Sequence, residues 1–363
     1  MKKGVALMLV FVFLTASCLT GTKPSSATSA AENTWTTKAP IPQAEHGVMA
    51  AAVNGKIYVM GGSSNYEYDP STDNWAEKTP MPTPRNSFGI AAYQNKIYTI
   101  GGSSDGVFSG TNEVYDPSTD TWENKEPMPT NRVQIGANVV NAKIHLIGND
   151  SHNVYDIATD SWTTGNSMLF SYSDYTYKSA VVNDKTYIIG WNQTQIYDSK
   201  TDSWSIGTSP PTSVSMAAVC ATTGVLVSKR IYVIGGSQDL EGTDITQVYN
   251  PMNDTWTRGT PLPTARLGLT VAVVNDQIYA IAGSRLAVSS PVLTTNEQYT
   301  PLGYGTPDPS YESPTAEPDP TSPSNCDDGM VTGLGSTVLV AASVAVFVLA
   351  SAGLIVYFKK RKH

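Results

Sequence analysis

Apolar and polar positions between Glu32 and Thr300 follow a short repeating rhythm. Six apolar runs recur: Ile57-Tyr58-Val59-Met60-Gly61-Gly62, Ile97-Tyr98-Thr99-Ile100-Gly101-Gly102, Ile144-His145-Leu146-Ile147-Gly148, Tyr187-Ile188-Ile189-Gly190, Ile231-Tyr232-Val233-Ile234-Gly235-Gly236 and Ile278-Tyr279-Ala280-Ile281-Ala282-Gly283. Each follows another apolar segment, such as Gly89-Ile90-Ala91-Ala92-Tyr93 or Leu269-Thr270-Val271-Ala272-Val273-Val274, across a polar turn such as Asn54-Gly55-Lys56 or Asn275-Asp276-Gln277. Short β-branched and aromatic runs between turn residues predict strands, and helical periodicity is scarce.

Downstream of the glycines a Tyr precedes a Trp by seven residues five times: Tyr68 and Trp75, Tyr115 and Trp122, Tyr155 and Trp162, Tyr197 and Trp204, Tyr249 and Trp256. Turn-forming residues fill the interval, as in Asp69-Pro70-Ser71-Thr72-Asp73 and Asn250-Pro251-Met252-Asn253-Asp254. Proline presets φ there, and Asp or Asn bonds back to the backbone. Each unit therefore reads as four short strands in a meander. Such a sheet buries little alone, whereas radial stacking covers both of its faces. The last unit reaches Tyr299 with no Trp after it, and the missing strand is available at Asn33-Thr34-Trp35-Thr36-Thr37-Lys38, which matches the stretch from Asp73. Pairing the chain ends in one sheet removes an open edge and gives six units.

The Gly-Gly strand end, the Tyr-Asp-Pro turn and the Trp seven residues after the Tyr resemble the kelch repeat, whose units are propeller blades. The resemblance covers roughly Asn33 to Thr300 and implies an all-β, six-bladed kelch-type propeller. Units three and four depart from it by placing Asn149 and Trp191 at the second glycine, and unit six reads Ala282-Gly283.

Outside the repeat the composition changes. Residues 1–31 begin with Lys2 and Lys3, continue through apolar Val5 to Leu14 and end in small residues, the layout of an export signal. Cleavage is expected after Ala30 or Ala31, or before Cys18 as in a lipoprotein. Residues 301–330 are rich in Pro, Ser and Thr and read as a stalk. Residues 331–358 are uncharged and long enough for a membrane-spanning helix, and Lys359-Lys360-Arg361-Lys362 behind them predicts a cytoplasmic tail with the propeller outside the cell.

Between Glu32 and Phe358, 16 Lys and Arg face 31 Asp and Glu. That sign repels phosphate backbones, so nucleic acid is not an expected partner. Three cysteines form no disulfide framework, and Cys220 reads as a small core residue. No cofactor or metal is expected. A copper site needs converging His and Tyr, and the domain has His46, His145 and His152 without a paired-histidine motif. Oligomeric state is not expressed in the sequence.

Kelch-like propellers bind at one face, through loops between the second and third strands and loops between blades. Here the former are long in units two, five and six, which nominates Asp105, Val107, Phe108, Asp239, Leu240, Glu241, Asp244, Arg285 and Leu286. Arg85, Arg132 and Arg266 each follow a Pro-rich turn at the entry to an inner strand. They are candidates for the channel mouth, where they would hold an anion, or for bonds from blade to blade. Asn149, Asn192 and Asn253 begin Asn-X-Ser/Thr triplets open to glycosylation. The expected role is a surface-displayed binding or adhesion module for an extracellular protein or carbohydrate. The alternative is a sugar-active enzyme of the sialic-acid epimerase kind, using channel arginines and acidic residues.

Overall fold

The computed structural model describes residues 31–310, except 134–135, 149–150, 172–176 and 289. The predicted membrane helix at 331–358, the basic tail, most of the stalk and nearly all of the export segment lie outside the described residues.

Six four-stranded antiparallel sheets follow one another along the chain. From inner to outer strand, blade one is Met49–Val53, Lys56–Gly61, Ser64–Asp69 and Asn74–Glu77. Blade two is Gly89–Tyr93, Lys96–Ile100, Asn112–Asp116 and Thr121–Lys125. Blade three is Gly136–Val140, Lys143–Gly148, Ser151–Asp156 and Ser161–Thr164. Blade four is Lys178–Val182, Lys185–Ile189, Thr194–Asp198 and Ser203–Gly207. Blade five is Ala218–Ala221, Ile231–Ile234, Thr246–Asn250 and Thr255–Arg258. Blade six takes Thr270–Val274, Gln277–Ile281 and Asn296–Thr300 from the end of the domain and Thr34–Lys38 from its start, with Trp35 opposite Tyr299. Each inner strand contacts the inner strands of both neighbours, so the ring is closed.

The Tyr-to-Trp spacing has a mechanical cause. Each third-strand tyrosine donates its hydroxyl to a turn residue five positions on: Tyr68 to Asp73, Tyr115 to Asp120, Tyr155 to Asp160, Tyr197 to Asp202 and Tyr249 to Asp254, at 2.6–2.8 Å. The same carboxylate oxygen accepts a backbone N–H just past the preceding blade's outer strand: Ala39, Thr79, Glu126, Asn166 or Thr208. The Trp two positions further donates its indole N–H to the carbonyl of that same residue, at 2.8–2.9 Å. Both backbone groups of one residue are thus gripped by the next blade. The sixth clasp closes the ring. Tyr299 donates to Asn33, Asn33 accepts the Thr260 N–H, and Trp35 donates to the Thr260 carbonyl. All six turn residues are left-handed, with φ from 47° for Asp202 to 55° for Asp73. Asp and Asn tolerate that conformation better than other non-glycine residues, so backbone geometry and acceptor chemistry select the same residue types.

The core lies between blades. Six separate apolar clusters fill the six interfaces, each mixing residues of two adjacent blades, as Tyr279 and Ile281 pack with Ile57 and Tyr68. Within each interface a second-strand aromatic meets the next blade's third-strand tyrosine. The pairs are Tyr58 with Tyr115, Tyr98 with Tyr155, Tyr187 with Tyr249, Tyr232 with Tyr299 and Tyr279 with Tyr68, at 5.8–6.2 Å between centroids. These tilted and edge-on contacts add to area burial. Blade three uses His145 against Tyr197 instead, at 5.6 Å.

The second glycine is required by close approach. At Gly236, with φ 104°, a Cβ would fall 2.8 Å from the Ser215 carbonyl oxygen, where the lead-in to the inner strand crosses the blade.

Strand order sorts the connections onto two faces. Loops between second and third strands, and those from blade to blade, lie on one face; the remaining turns lie on the other. Residue 31 and residues 301–310 both lie on the turn face. Residues 301–310, which the sequence assigns to the stalk, are bonded to the propeller. Gly305 N–H donates to Leu226 O, Asp308 N–H to Gly224 O, and the Asp308 carboxylate accepts the Lys229 N–H, all at 2.7–2.9 Å. These bonds fasten residues 301–310 to the blade-five turn, an interaction that composition could not disclose.

Candidate functional site

The long loops nominated from sequence all lie on the loop face. In blade two, Ser103–Ser104 pairs with Val107–Phe108 as a small ribbon, with Asp105 at its left-handed tip. Val107 is 71% exposed and Phe108 50%. Blade five has a matching ribbon, Ser237–Gln238 with Glu241–Gly242, and its tip carries Asp239 and Leu240. Asp244 is exposed just beyond it. This ribbon is joined to blade six: Gly242 N–H donates to Arg285 O at 2.7 Å and Ala287 N–H to Leu240 O at 2.9 Å. The two loops form one platform on which Leu240, Leu286 and Val288 are exposed. No hydrogen bond among the described residues joins the blade-two ribbon to this platform.

Beside the platform is the mouth of the central channel, a cavity of about 360 Å³ bordered by His46, Asn86, Ser87, Met216, Leu267, Ser284 and Ala287. Below it the channel narrows to about 150 Å³ between inner-strand residues such as Ala50, Ile90, Gly136, Val219 and Thr270. Lys178 borders both spaces. It is the sole Asp, Glu, Lys or Arg side chain among the described residues lining either. Sequence reasoning passed over it, although its register position is legible. Opposite the last apolar residue before the strand-end Gly (Ala282 in blade six), the inner strands carry Met49, Gly89, Gly136, Lys178, Ala218 and Thr270.

The structure corrects the reading of the channel-mouth arginines. Arg85 and Arg266 are 1% and 0% exposed. Arg85 pairs with Glu113 and also donates to the carbonyls of Thr83, Thr99 and Gly101. Arg266 repeats this with Glu297, Thr264 O and Ala280 O. These side-chain bonds stay within one blade and its lead-in, so they neither reach a channel ligand nor tie blade to blade. Burial pulls both guanidiniums below their ordinary pKa, and the adjacent glutamates oppose that shift. Arg132 is half-buried and donates to Gly148 O at 2.8 Å, while Asn153 replaces the acid. The signal that was missed is the glutamate two residues before Tyr115 and again before Tyr299. Blades four and five put Gln195 and Gln247 there, and each brackets the N–H and C=O of one lead-in residue.

Family models for the kelch motif match residues 46–82, 84–129 and 218–263, and these windows fall on blades one, two and five. The chain is a kelch-repeat β-propeller protein. No curated protein matches it. Among solved structures it is similar to the one titled "Structure of YjhT", at 15% identity and a TM-score of 0.60, over 71% of this chain and 95% of that one. That likeness concerns the fold.

Within the kelch propeller, blade three holds a second chemically distinctive group. His145 Nδ1 and His152 Nε2 lie 2.9 Å apart, buried, and His152 Nδ1 lies 3.1 Å from Asn166 O. A consistent proton assignment has His145 donating to His152 and His152 donating to the carbonyl. Both rings are then neutral. A further proton on His152 would set two N–H groups against each other, and one on His145 would place a charge on a buried ring. Burial lowers both pKa values, that of His145 to about 4, with the His152 and Lys143 charges acting in the same direction on His145 and Asp202 opposing. Each folded pKa lies below the unfolded value of about 6.5, so the stability contribution is present above pH 6.5 and is lost as pH falls toward 4. Blades one, two and six carry Tyr and Asn at these two positions. The double variant H145Y/H152N is therefore expected to lose on the order of 1–3 kcal/mol less than the wild type between pH 7 and pH 4.5. Urea midpoints at the two pH values measure it.

Of the glycosylation candidates, Asn192 and Asn253 are exposed, although Asn253 Oδ1 accepts the Thr255 hydroxyl. Asn149 lies outside the described residues. Cys220 is unpaired and half-buried in the blade-five inner strand, beside Tyr232.

Proposed function

We propose that this kelch propeller is a binding module displayed outside the cell, which engages an extracellular protein or carbohydrate with its loop face. One observation carries the reading. Of the twelve large hydrophobic side chains exposed among the described residues, eight lie in loops of that face: Val107, Phe108, Leu169, Phe170, Trp191, Leu240, Leu286 and Val288. Three of them, Leu240, Leu286 and Val288, share one platform, and an exposed apolar patch with polar neighbours is the usual composition of a recognition surface. Asp105, Asp239, Glu241 and Asp244 supply an acidic rim suited to a cationic or neutral partner. Both described chain ends emerge on the opposite face, so a tether joined there leaves the loop face open. For the alternative, a sugar-active enzyme, two of its three expected arginines are buried in ion pairs. Among the described lining residues the channel offers a cation without a carboxylate to act as acid or base.

The full-length protein, screened on arrays of glycans and cell-surface proteins, is expected to give a hit that L240S/L286S weakens at least tenfold, about 1.4 kcal/mol. V107S/F108S is the second arm. A hit that both double variants bind as tightly as the wild type overturns the choice of face.

A further inference from the structure

The geometry points to an anion site inside the channel, in which the Lys178 ammonium holds the carboxylate of a small organic acid entering through the loop-face mouth. This site is separate from whatever the exposed loops recognise, and it stands or falls independently of that reading.

Position is the first ground. Lys178 opens the inner strand of blade four, at a register position that the other blades fill with Met49, Gly89, Gly136, Ala218 and Thr270. None of those carries charge, and most are small. A long cation at one of six equivalent places breaks the ring's symmetry at the point where mouth and channel meet. Structural needs do not account for it, since five blades close without one.

The second ground is the missing counter-charge. Arg85 and Arg266 have glutamates, Lys56, Lys78, Lys96 and Lys143 have Asp or Glu on neighbouring strands, and half-buried Arg132, Lys229 and Arg230 have carbonyl or amide acceptors. Lys178 has none among the described residues. Its side chain is half-buried, and this burial lowers its pKa, with no carboxylate among the described residues acting on it. An uncompensated ammonium held there is unfavourable, and an incoming anion relieves the cost.

Charge and size then limit the ligand. One ammonium neutralises one negative charge, so a monoanion fits better than a phosphate dianion, whose second charge would be desolvated without a partner. The mouth, at about 360 Å³, has the volume of a small-molecule pocket. His46, Asn86, Ser87 and Ser284 offer polar groups around it, while Met49, Val48 and Leu269 provide apolar wall. A carboxylate on a compact organic body matches one cation set deep with mixed walls above it.

Calorimetric titration of the full-length protein with acetate, isosteric neutral acetamide and chloride tests the site. Acetate is expected to bind at least tenfold more tightly than either control. K178R should retain binding, and K178M, which installs the blade-one residue, should weaken it at least tenfold. If K178M does not fold, the wild type still decides, because acetate affinity should fall as pH rises through the lysine's titration. Equal affinity for acetate and acetamide, equal affinity for acetate and chloride, or unchanged acetate binding in a folded K178M each overturns the proposal. Loss of array binding without loss of acetate binding would count against the loop-face function and leave this site standing.

Discussion

Removing residues 31–38 is expected to abolish cooperative folding of the propeller, although it removes only the first strand and its lead-in. Three losses coincide. Blade six keeps three strands and exposes the Asn296–Thr300 edge. The sixth clasp loses Asn33 and Trp35, which leaves the Tyr299 hydroxyl and both backbone groups of Thr260 without partners. The interface between blades five and six loses the indole that packs against Tyr299 at 4.9 Å. Each blade is stabilised chiefly by its neighbours, so an opened ring weakens beyond blade six. Domains of this kind hold roughly 5–15 kcal/mol in total. Trp35→Ala alone is expected to cost about 3 kcal/mol, the low end for a large aromatic because the ring is only partly buried. Denaturant unfolding of the full-length chain, followed by tryptophan fluorescence, should show a single steep transition for the wild type and none for the deletion. A deletion with an unaltered transition would mean that the ends do not close the ring.

Glu297→Ala should destabilise the protein by about 3–5 kcal/mol, the cost of leaving a fully buried arginine without its counter-ion. Arg266 has no exposed surface from which to recruit water, and its remaining partners are the Thr264 and Ala280 carbonyls. Glu297→Gln should lose less, since blades four and five hold their lead-ins with Gln195 and Gln247 at that position. R266M/E297L, which removes both charges and keeps the volume, should also lose less than Glu297→Ala. The ordering of the three unfolding midpoints separates a buried charge pair from simple packing. If Glu297→Ala is as stable as the wild type, the arginine is solvated and the channel-mouth reading returns.

Blade number, strand order and ring closure were legible because they rest on repeated local chemistry. The Tyr, the Asp five residues on and the Trp two further must keep their spacing for each clasp to form, so the pattern survives even where blade three reads Asp156-Ile157-Ala158-Thr159-Asp160. Where the roles depend on contacts between distant residues, sequence misled. Arg85 and Arg266 recur like a channel ring, yet their register turns them into the sheet toward Glu113 and Glu297. Lys178 escaped notice because a lysine at the start of a strand reads as ordinary solvated charge; only the closed ring encloses it. His145 and His152 are seven residues apart, and only antiparallel pairing across one turn makes them neighbours. Residues 301–310 looked like the start of a stalk because composition reports the absence of a core but not docking onto another blade's turn.

A single closed ring, sealed by the chain's two ends, underlies both the position of the loop face and the enclosure of Lys178. Exchange of the seven tryptophan indole N–H protons, followed by NMR of the full-length protein, tests it most directly. Six of them, including Trp35, donate to clasp carbonyls, while Trp191 is 56% exposed on the loop face. The expected result is six slowed indoles, with Trp35 as protected as Trp75 and Trp256, and one fast indole from Trp191. Exchange of Trp35 at the rate of Trp191 would contradict the closure.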